Sequence, residues 1–441
     1  MRKNPDSRQR IIHFELTTSK QQFLILQSLT YAASKLWNTA NYEIKSWTEG
    51  SGLPRPNWYS QKKSLKGSFW YKNLPSQTAQ EVLKQLHEGW QSFYKLKNTG
   101  GIQNPQPPRY KHSNFSIRYL NKGFVVSESN IRLTIPKNQK KYLEQKYGSC
   151  PEFLYIQIPK KYKCIKGNIK VIEIIPVPKS NRYRISIIIE LPKVPVEKKN
   201  DVYMAIDLGI NNLITCHTSK GSNMILSGRQ LLSLNRYYDK EISHYQSIAY
   251  AQQSAAGVKY PRDTKRIQQL YTKRSKQVEH LLHSATKQVI EFAKQEGVSK
   301  IILGDITHIR DEKSIGRINN QKFHKWPFGK IKKLLSYKVE DNGITIETQE
   351  ESYTSQCSPN AGEVSQENAS KGNRKNRGLY VDCDGKAYNA DCVGAYNIMK
   401  KYLCRIGKPI PAVVGLDTPK AYRWNCYSFI GSTKLAISMA M

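Results

Sequence analysis

The order of apolar segments after residue 200 constrains this chain more than any other feature. Residues 203–208, 213–218 and 223–227 read as three short strands with tight turns between them. Residues 231–296 carry helical periodicity broken near Gly257 and Pro261, which predicts two helices. A buried-type strand at 301–305, a helix at 326–341, a strand at 344–348 and a helix at 390–402 follow. Three strands, helix, strand, helix, strand, helix predicts an α/β layer structure with helices against one sheet.

The first 200 residues follow another pattern. A strand is expected at 10–17 and a helix at 20–46. Pro75-Ser76 opens a second helix, in which Val82, Leu83, Leu86, Trp90, Phe93 and Tyr94 make one apolar face suited to core packing. Gly100-Gly101 and Pro105, Pro107 and Pro108 end the helical region. Short strands at 115–120, 131–135, 153–158, 170–176 and 182–191 then predict a small barrel or sandwich. The Pro/Lys segment 192–200 marks the main boundary, and no internal repeat is visible.

Charge narrows the function. Lys and Arg number 70 against 34 Asp and Glu, a net charge of +36. Such an excess repels itself and is relieved by a polyanion, so nucleic acid is the expected partner. A disordered basic tail is excluded, because aromatics make up 10% of the chain. The longest apolar run, 185–191, is interrupted by Ser186 and Glu190 and is too short to span a bilayer. The first ten residues are polar and predict no export signal. The eight cysteines, at 150, 164, 216, 357, 383, 392, 404 and 426, form no C-x-x-C pair, which suits a reducing cytoplasm. Lys160, Lys161, Tyr162 and Lys163 set charge beside an aromatic ring, as on a nucleic-acid surface.

Two acids stand out. Asp207 ends an apolar strand before a Gly209 turn, and Asp391 sits in the first turn of a helix followed by the small residues Gly394 and Ala395. A buried acid costs free energy unless it is paired or holds a metal. The element order is that of a ribonuclease-H-like α/β domain, and two acids at its sheet end could share Mg²⁺ (or Mn²⁺) for phosphodiester chemistry.

The ordered strings IDLGINN (206–212), NQKFHKWPF (320–328), ESYTSQCSP (351–359), RGLY (377–380) and NADCVGAYNI (389–398) resemble the RuvC-type nuclease domain of the TnpB family, the OrfB "transposase" of insertion sequences. LPSQTAQ (74–80) and PPRYK (107–111) extend the resemblance over nearly the whole chain. The resemblance implies a transposon-associated, RNA-guided DNA endonuclease in the prokaryotic cytoplasm, at the nucleoid. It implies a monomer that binds a guide RNA from the element's own end and a double-stranded DNA target read by base pairing. The implied parts are a wedge β-barrel (1–18 and 105–199 with its linker) carrying a helical recognition insert (19–104). A RuvC-like domain (200–406) follows, with a helical insert at 230–298 and a degenerate zinc-ribbon loop at 357–388, and then a C-terminal tail (407–441). Arg109, Lys111, Lys160, Lys161, Lys163, Trp326, Arg374, Lys375 and Arg377 are the expected nucleic-acid contacts.

Two departures follow from the same resemblance. The family's second acid is usually a Glu on the fourth strand, where this chain has Gly304. Glu351, then Glu350, then the adjacent Asp305 are the candidates to restore the charge, so the expected metal set is Asp207, Glu351 (or Glu350) and Asp391. The family's zinc ribbon needs two Cys pairs, but Cys357 is followed by Asn360, and Val381 and Asp384 flank Cys383. Structural zinc wants four N or S ligands, so no zinc is expected. The alternatives are a nuclease-dead guided regulator, for which Gly304 argues, and an unguided DNA-binding transposase.

Overall fold

The computed structural model describes residues 6–48, 52, 54–100, 102–162, 165, 167–177, 182–196, 201–305, 326–369, 374 and 378–432. The chain divides into two compact units, Met1–Lys193 and Val194–Met441.

The first unit begins with β1 (Ser7–Thr17) and α1 (Lys20–Ser46). Ser19 caps α1 through a reciprocal pair of bonds with Gln22, which satisfies two otherwise orphaned backbone donors. The short helices α2 (Trp58–Ser64) and α3 (Phe69–Lys72) precede α4 (Ser76–Thr99). The predicted apolar face of α4 buries Val82, Leu83, Leu86 and Trp90, and the Trp90 indole donates to the buried Asn41 at 3.0 Å. Then come β2 (Ile117–Leu120), β3 (Phe124–Val126), β4 (Asn130–Thr134), α5 (Lys137–Tyr147), β5 (Phe153–Gln157), β6 (Asn168–Pro176) and β7 (Arg182–Pro192). Their ladders form a four-stranded sheet, β1-β7-β6-β2, and a three-stranded sheet, β3-β4-β5. β1 pairs with β7 along its whole length, from Ser7 opposite Pro192 to Thr17 opposite Arg182. Both sheets and the helices share one apolar core. The ladders of the described residues do not close into a single ring.

The second unit has one seven-stranded sheet. β8 (Tyr203–Asp207), β9 (Asn212–Thr218) and β10 (Asn223–Ser227) form an antiparallel meander. The helices α6 (Arg229–Ala255) and α7 (Lys265–Gln295) lead to β11 (Lys300–Asp305), which runs parallel to β8. α8 (Phe328–Asp341) leads to β12 (Thr345–Glu350), parallel to β11. A small hairpin, β13 (Leu379–Val381) and β14 (Ala387–Asn389), precedes α9 (Ala390–Arg405). Last come β15 (Lys420–Trp424), parallel to β10, and β16 (Phe429–Ser432). The sheet order is β12-β11-β8-β9-β10-β15-β16.

Residues 420–432 therefore extend this sheet, where a separate tail was expected. Phe429 is buried, and Tyr422 and Trp424 pack on the same core. Alternation along β8 and β11 sends Met204, Ile206, Ile301 and Leu303 to the core with α7 and α8. Tyr203, Ala205 and Ile302 face α9 on the other side. Among the described residues no helix is long and apolar enough to cross a membrane.

Candidate active site

The parallel register sets the site. Ile302 lies opposite Ala205 and Leu303 opposite Ile206. One residue further along lie Gly304 and Asp207, and by alternation both belong to the α9 side. Asp305, one residue on, belongs to the opposite side. On β12, Gln349 pairs with Gly304 and Glu350 with Asp305. Glu351, two residues past Gln349, therefore shares the side of Gly304 and Asp207.

Glycines let the acids approach. A Cβ on Gly304 would overlap Oε1 of Glu351 and stand 2.6 Å from its Cδ. A Cβ on Gly394 of α9 would stand 2.8 Å from Oδ2 of Asp207. Asp391 is placed by its helix cap, since the Asn389 side chain accepts from the backbone N–H groups of Asp391 and Cys392 at 3.1 and 3.2 Å. Oδ2 of Asp391 accepts from the Asn212 amide at 2.5 Å, and its Oδ1 lies 3.4 Å from the Arg374 guanidinium.

The electrostatics are those of crowded buried acids. Burial, and then the charge of Asp391, push Asp207 up to about 7, against the pull of Arg374 and the Leu208 N–H. Burial, and then Asp207, Asp305 and Glu350, push Glu351 up to about 9. Among the described residues Oε1 of Glu351 is buried with no hydrogen-bond partner. An orphaned carboxylate oxygen among other acids suits a cation, and an all-oxygen donor set suits a hard one such as Mg²⁺ or Mn²⁺. The three acids are spread more widely than 4.8 Å as a set, with Asp207 acting on Glu351 and acted on by Asp391.

The other expected site residues are placed as follows. Glu350 is exposed, bonded to Ser352 and paired with Lys401. Arg374 lies at Asp391, so its guanidinium is part of the acid cluster. Arg109, Lys160 and Lys161 are exposed in the first unit. Lys111 is half-buried, its ammonium packed over Trp37 and Phe115 at 4.5 and 5.0 Å. Trp326 is corrected from a nucleic-acid contact to a core residue. It is 4% exposed and donates to the Gly209 carbonyl at 3.0 Å. Lys163, Lys375 and Arg377 lie outside the described residues. Sequence reasoning missed Asn212. The signal was a polar residue that closes IDLGINN and opens the next strand directly before Leu213 and Ile214.

The residues present do not fit a zinc ribbon. The Cys357 thiol donates to the Ser365 carbonyl at 3.2 Å. Asn360, where a second Cys would stand, donates to Oδ2 of Asp382 at 2.6 Å, so the two turns are joined by a hydrogen bond. Among the described residues, only the consecutive Asp382, Cys383 and Asp384 gather three ligand-type atoms within 4.8 Å, and they supply one sulfur and no imidazole.

A sheet with this order, with acids from β8, from the end of β12 and from α9, defines a RuvC-like nuclease-type α/β fold. Residues 186–310 match the OrfB family described as "Probable transposase". Residues 328–398 match the "Cas12f1-like, TNB domain" family. The TnpB-like protein ORF457 of Acidianus two-tailed virus is 24% identical over 437 residues, covering 88% of this chain and 86% of that protein. The CRISPR-associated endodeoxyribonuclease Cas12f1 of Sulfoacidibacillus thermotolerans is 23% identical over 344 residues, 74% of this chain and 76% of that one. A solved Cas12f1–sgRNA–target DNA complex shares the fold, with a TM-score of 0.58 at 15% identity over 86% of this chain and 82% of that chain. These matches support assignment of the chain to the TnpB family.

Proposed function

We propose that the protein is an RNA-guided, divalent-metal-dependent DNA endonuclease in which Glu351 replaces the acid missing at Gly304. The observation that carries this reading is the seat of the Glu351 carboxylate, in the space a side chain at 304 would take and facing Asp207. A regulator that had lost cutting would gain nothing from keeping three like charges in a half-buried cleft, where each costs free energy.

Asp207, Glu351 and Asp391 would hold the ions. Divalent metal held by these acids would supply Lewis-acid stabilisation of the charge that develops on a phosphodiester and would lower the pKa of water. The chain's own groups orient the acids. Asn212 and Arg374 occupy the two oxygens of Asp391, and the Leu208 N–H favours the ionised form of Asp207. Among the described residues Glu351 leaves Oε1 without a hydrogen-bond partner, so that oxygen is open to a cation. The net charge of +36 supports binding to a guide RNA and a DNA target. The first unit would hold the wedge and recognition parts, and one copy would serve each ribonucleoprotein.

The test is to express the protein with its native flanking DNA and ask whether a discrete RNA copurifies. That particle should linearise a plasmid matched to the RNA. Copurified RNA with target retention but no cutting favours the nuclease-dead regulator. No RNA and no retention leaves the unguided transposase.

A further inference from the structure

Glu351 lies one residue past the last paired residue of β12, Glu350, so the ladder does not hold it. The turn that follows is strained. Tyr353 has φ 64°, a left-handed conformation that a tyrosine adopts only when its surroundings impose it. Inside the turn, the Thr354 N–H and Oγ1 both donate to the Glu351 carbonyl, at 3.2 and 2.8 Å. The Gln356 and Cys357 N–H groups close the turn on the Tyr353 carbonyl, and further restraint comes from α9. Asn397 is 0% exposed and gives its amide protons to the carbonyls of Thr354 and Cys357, at 2.8 and 2.9 Å. Lys400, one turn on and 3% exposed, donates its ammonium to the carbonyls of Pro359, at 3.1 Å, and Ala361. Such groups are costly to bury unless their protons are taken up, and here the backbone of this loop takes them.

We infer that Asn397 is a positioning residue for Glu351, with Lys400 as a second tether. The helix that supplies Asp391, and that touches Asp207 through Gly394, also fixes the strained turn that lays Glu351 over Gly304. A displaced acid is thereby registered to the other two by a single rigid element. This inference rests on the reading of Glu351 as a metal-holding acid.

The test uses the full-length protein with its copurified RNA. Asn397→Leu keeps the side-chain volume and removes both donated protons. Mn²⁺ binding is read by electron paramagnetic resonance without target DNA, and single-turnover cutting is followed against Mg²⁺ concentration. The expected result is Mn²⁺ binding weakened about tenfold, in the range seen when outer partners of metal ligands are removed. The Mg²⁺ needed for half-maximal rate rises in parallel, with RNA and target binding unchanged. Ile398→Val trims the same helix in the core without touching the turn. It should lower Tm and leave Mn²⁺ binding alone.

Unchanged Mn²⁺ binding in folded Asn397→Leu overturns the inference. Glu351→Gln runs alongside. Full cutting by that variant overturns the reading of Glu351 itself. Lost cutting there, with Asn397→Leu unchanged in metal binding, overturns only the positioning role. Should Asn397→Leu fail to fold, Asn397→Ser, which is too short to reach both carbonyls but stays polar, carries the same test. Weakened Mn²⁺ binding supports the inference, and none overturns it.

Discussion

Gly304 makes the room that Glu351 occupies: a Cβ at 304 would overlap the Glu351 carboxylate and approach its Cδ to 2.6 Å. The glycine is therefore a requirement of the displaced acid as well as the mark of a missing one. Gly304→Ala should displace Glu351 and lower cutting at least tenfold, with RNA binding retained. Gly304→Glu alone should be worse, since two carboxyl side chains compete for one space. Gly304→Glu combined with Glu351→Ser should recover part of the lost rate. Single-turnover plasmid cleavage reads all three. Full activity in Gly304→Ala would mean that Glu351 is not needed where it lies.

The paired acids make metal-free stability depend on pH. Unfolded, both carboxyls ionise near pH 4. Folded, Asp207 and Glu351 are held up to about 7 and about 9. Between these limits the folded state binds more protons, so its stability falls as pH rises. Divalent metal favours the ionised forms and opposes that loss. The rise in Tm on adding Mg²⁺ should therefore grow from pH 6 to pH 9. Glu351→Gln should raise the metal-free Tm at pH 8 and shrink the metal response. A metal response of equal size at both pH values would contradict the burial of these acids.

Asn212 holds one oxygen of Asp391. Asn212→Ala should lower the cutting rate by about 10–100-fold, the usual effect of losing a partner of a metal ligand. Target retention should persist. Wild-type rates would show that Arg374 and the Asn389 cap suffice to place Asp391.

The Asn360 to Asp382 bond links the turns that cysteines would otherwise link through metal. Elemental analysis should find no stoichiometric zinc, and a zinc chelator should leave Tm unchanged. Asn360→Ala should cost about 1.5–3 kcal/mol, the range for a hydrogen bond to a charged group, while Asp382 keeps its bond from the Cys383 N–H. One zinc per chain would overturn this account of the loop.

The order of elements from β8 to β12 along the chain was legible because β8, β9 and β11 are runs buried on both sides of the sheet, a pattern no surface helix gives. Asp207 and Asp391 were legible from the polar residue that ends or opens an apolar element. Glu350 and Glu351 were separable only through the ladder, because Gln349 opposite Gly304 decides which neighbour faces Asp207. β15 and β16 are five and four residues long and depend on pairing with β10 and with each other, which no local pattern announces. α5 is rich in Lys and Gln and buries only Gln139 and Leu143, too little for an apolar stripe. Trp326 was misread because its partner, the Gly209 carbonyl, lies 117 residues away.

Guided plasmid cleavage by the wild-type particle and by Glu351→Gln, each with the guide reprogrammed and Mg²⁺ present, tests the central claim most directly. The target plasmid carries randomised sequence beside the matched site. The wild type should linearise plasmids that share one enriched flanking motif, while Glu351→Gln should retain the same plasmids intact. Cutting by Glu351→Gln at the wild-type rate, or intact plasmid with both proteins, would contradict the account.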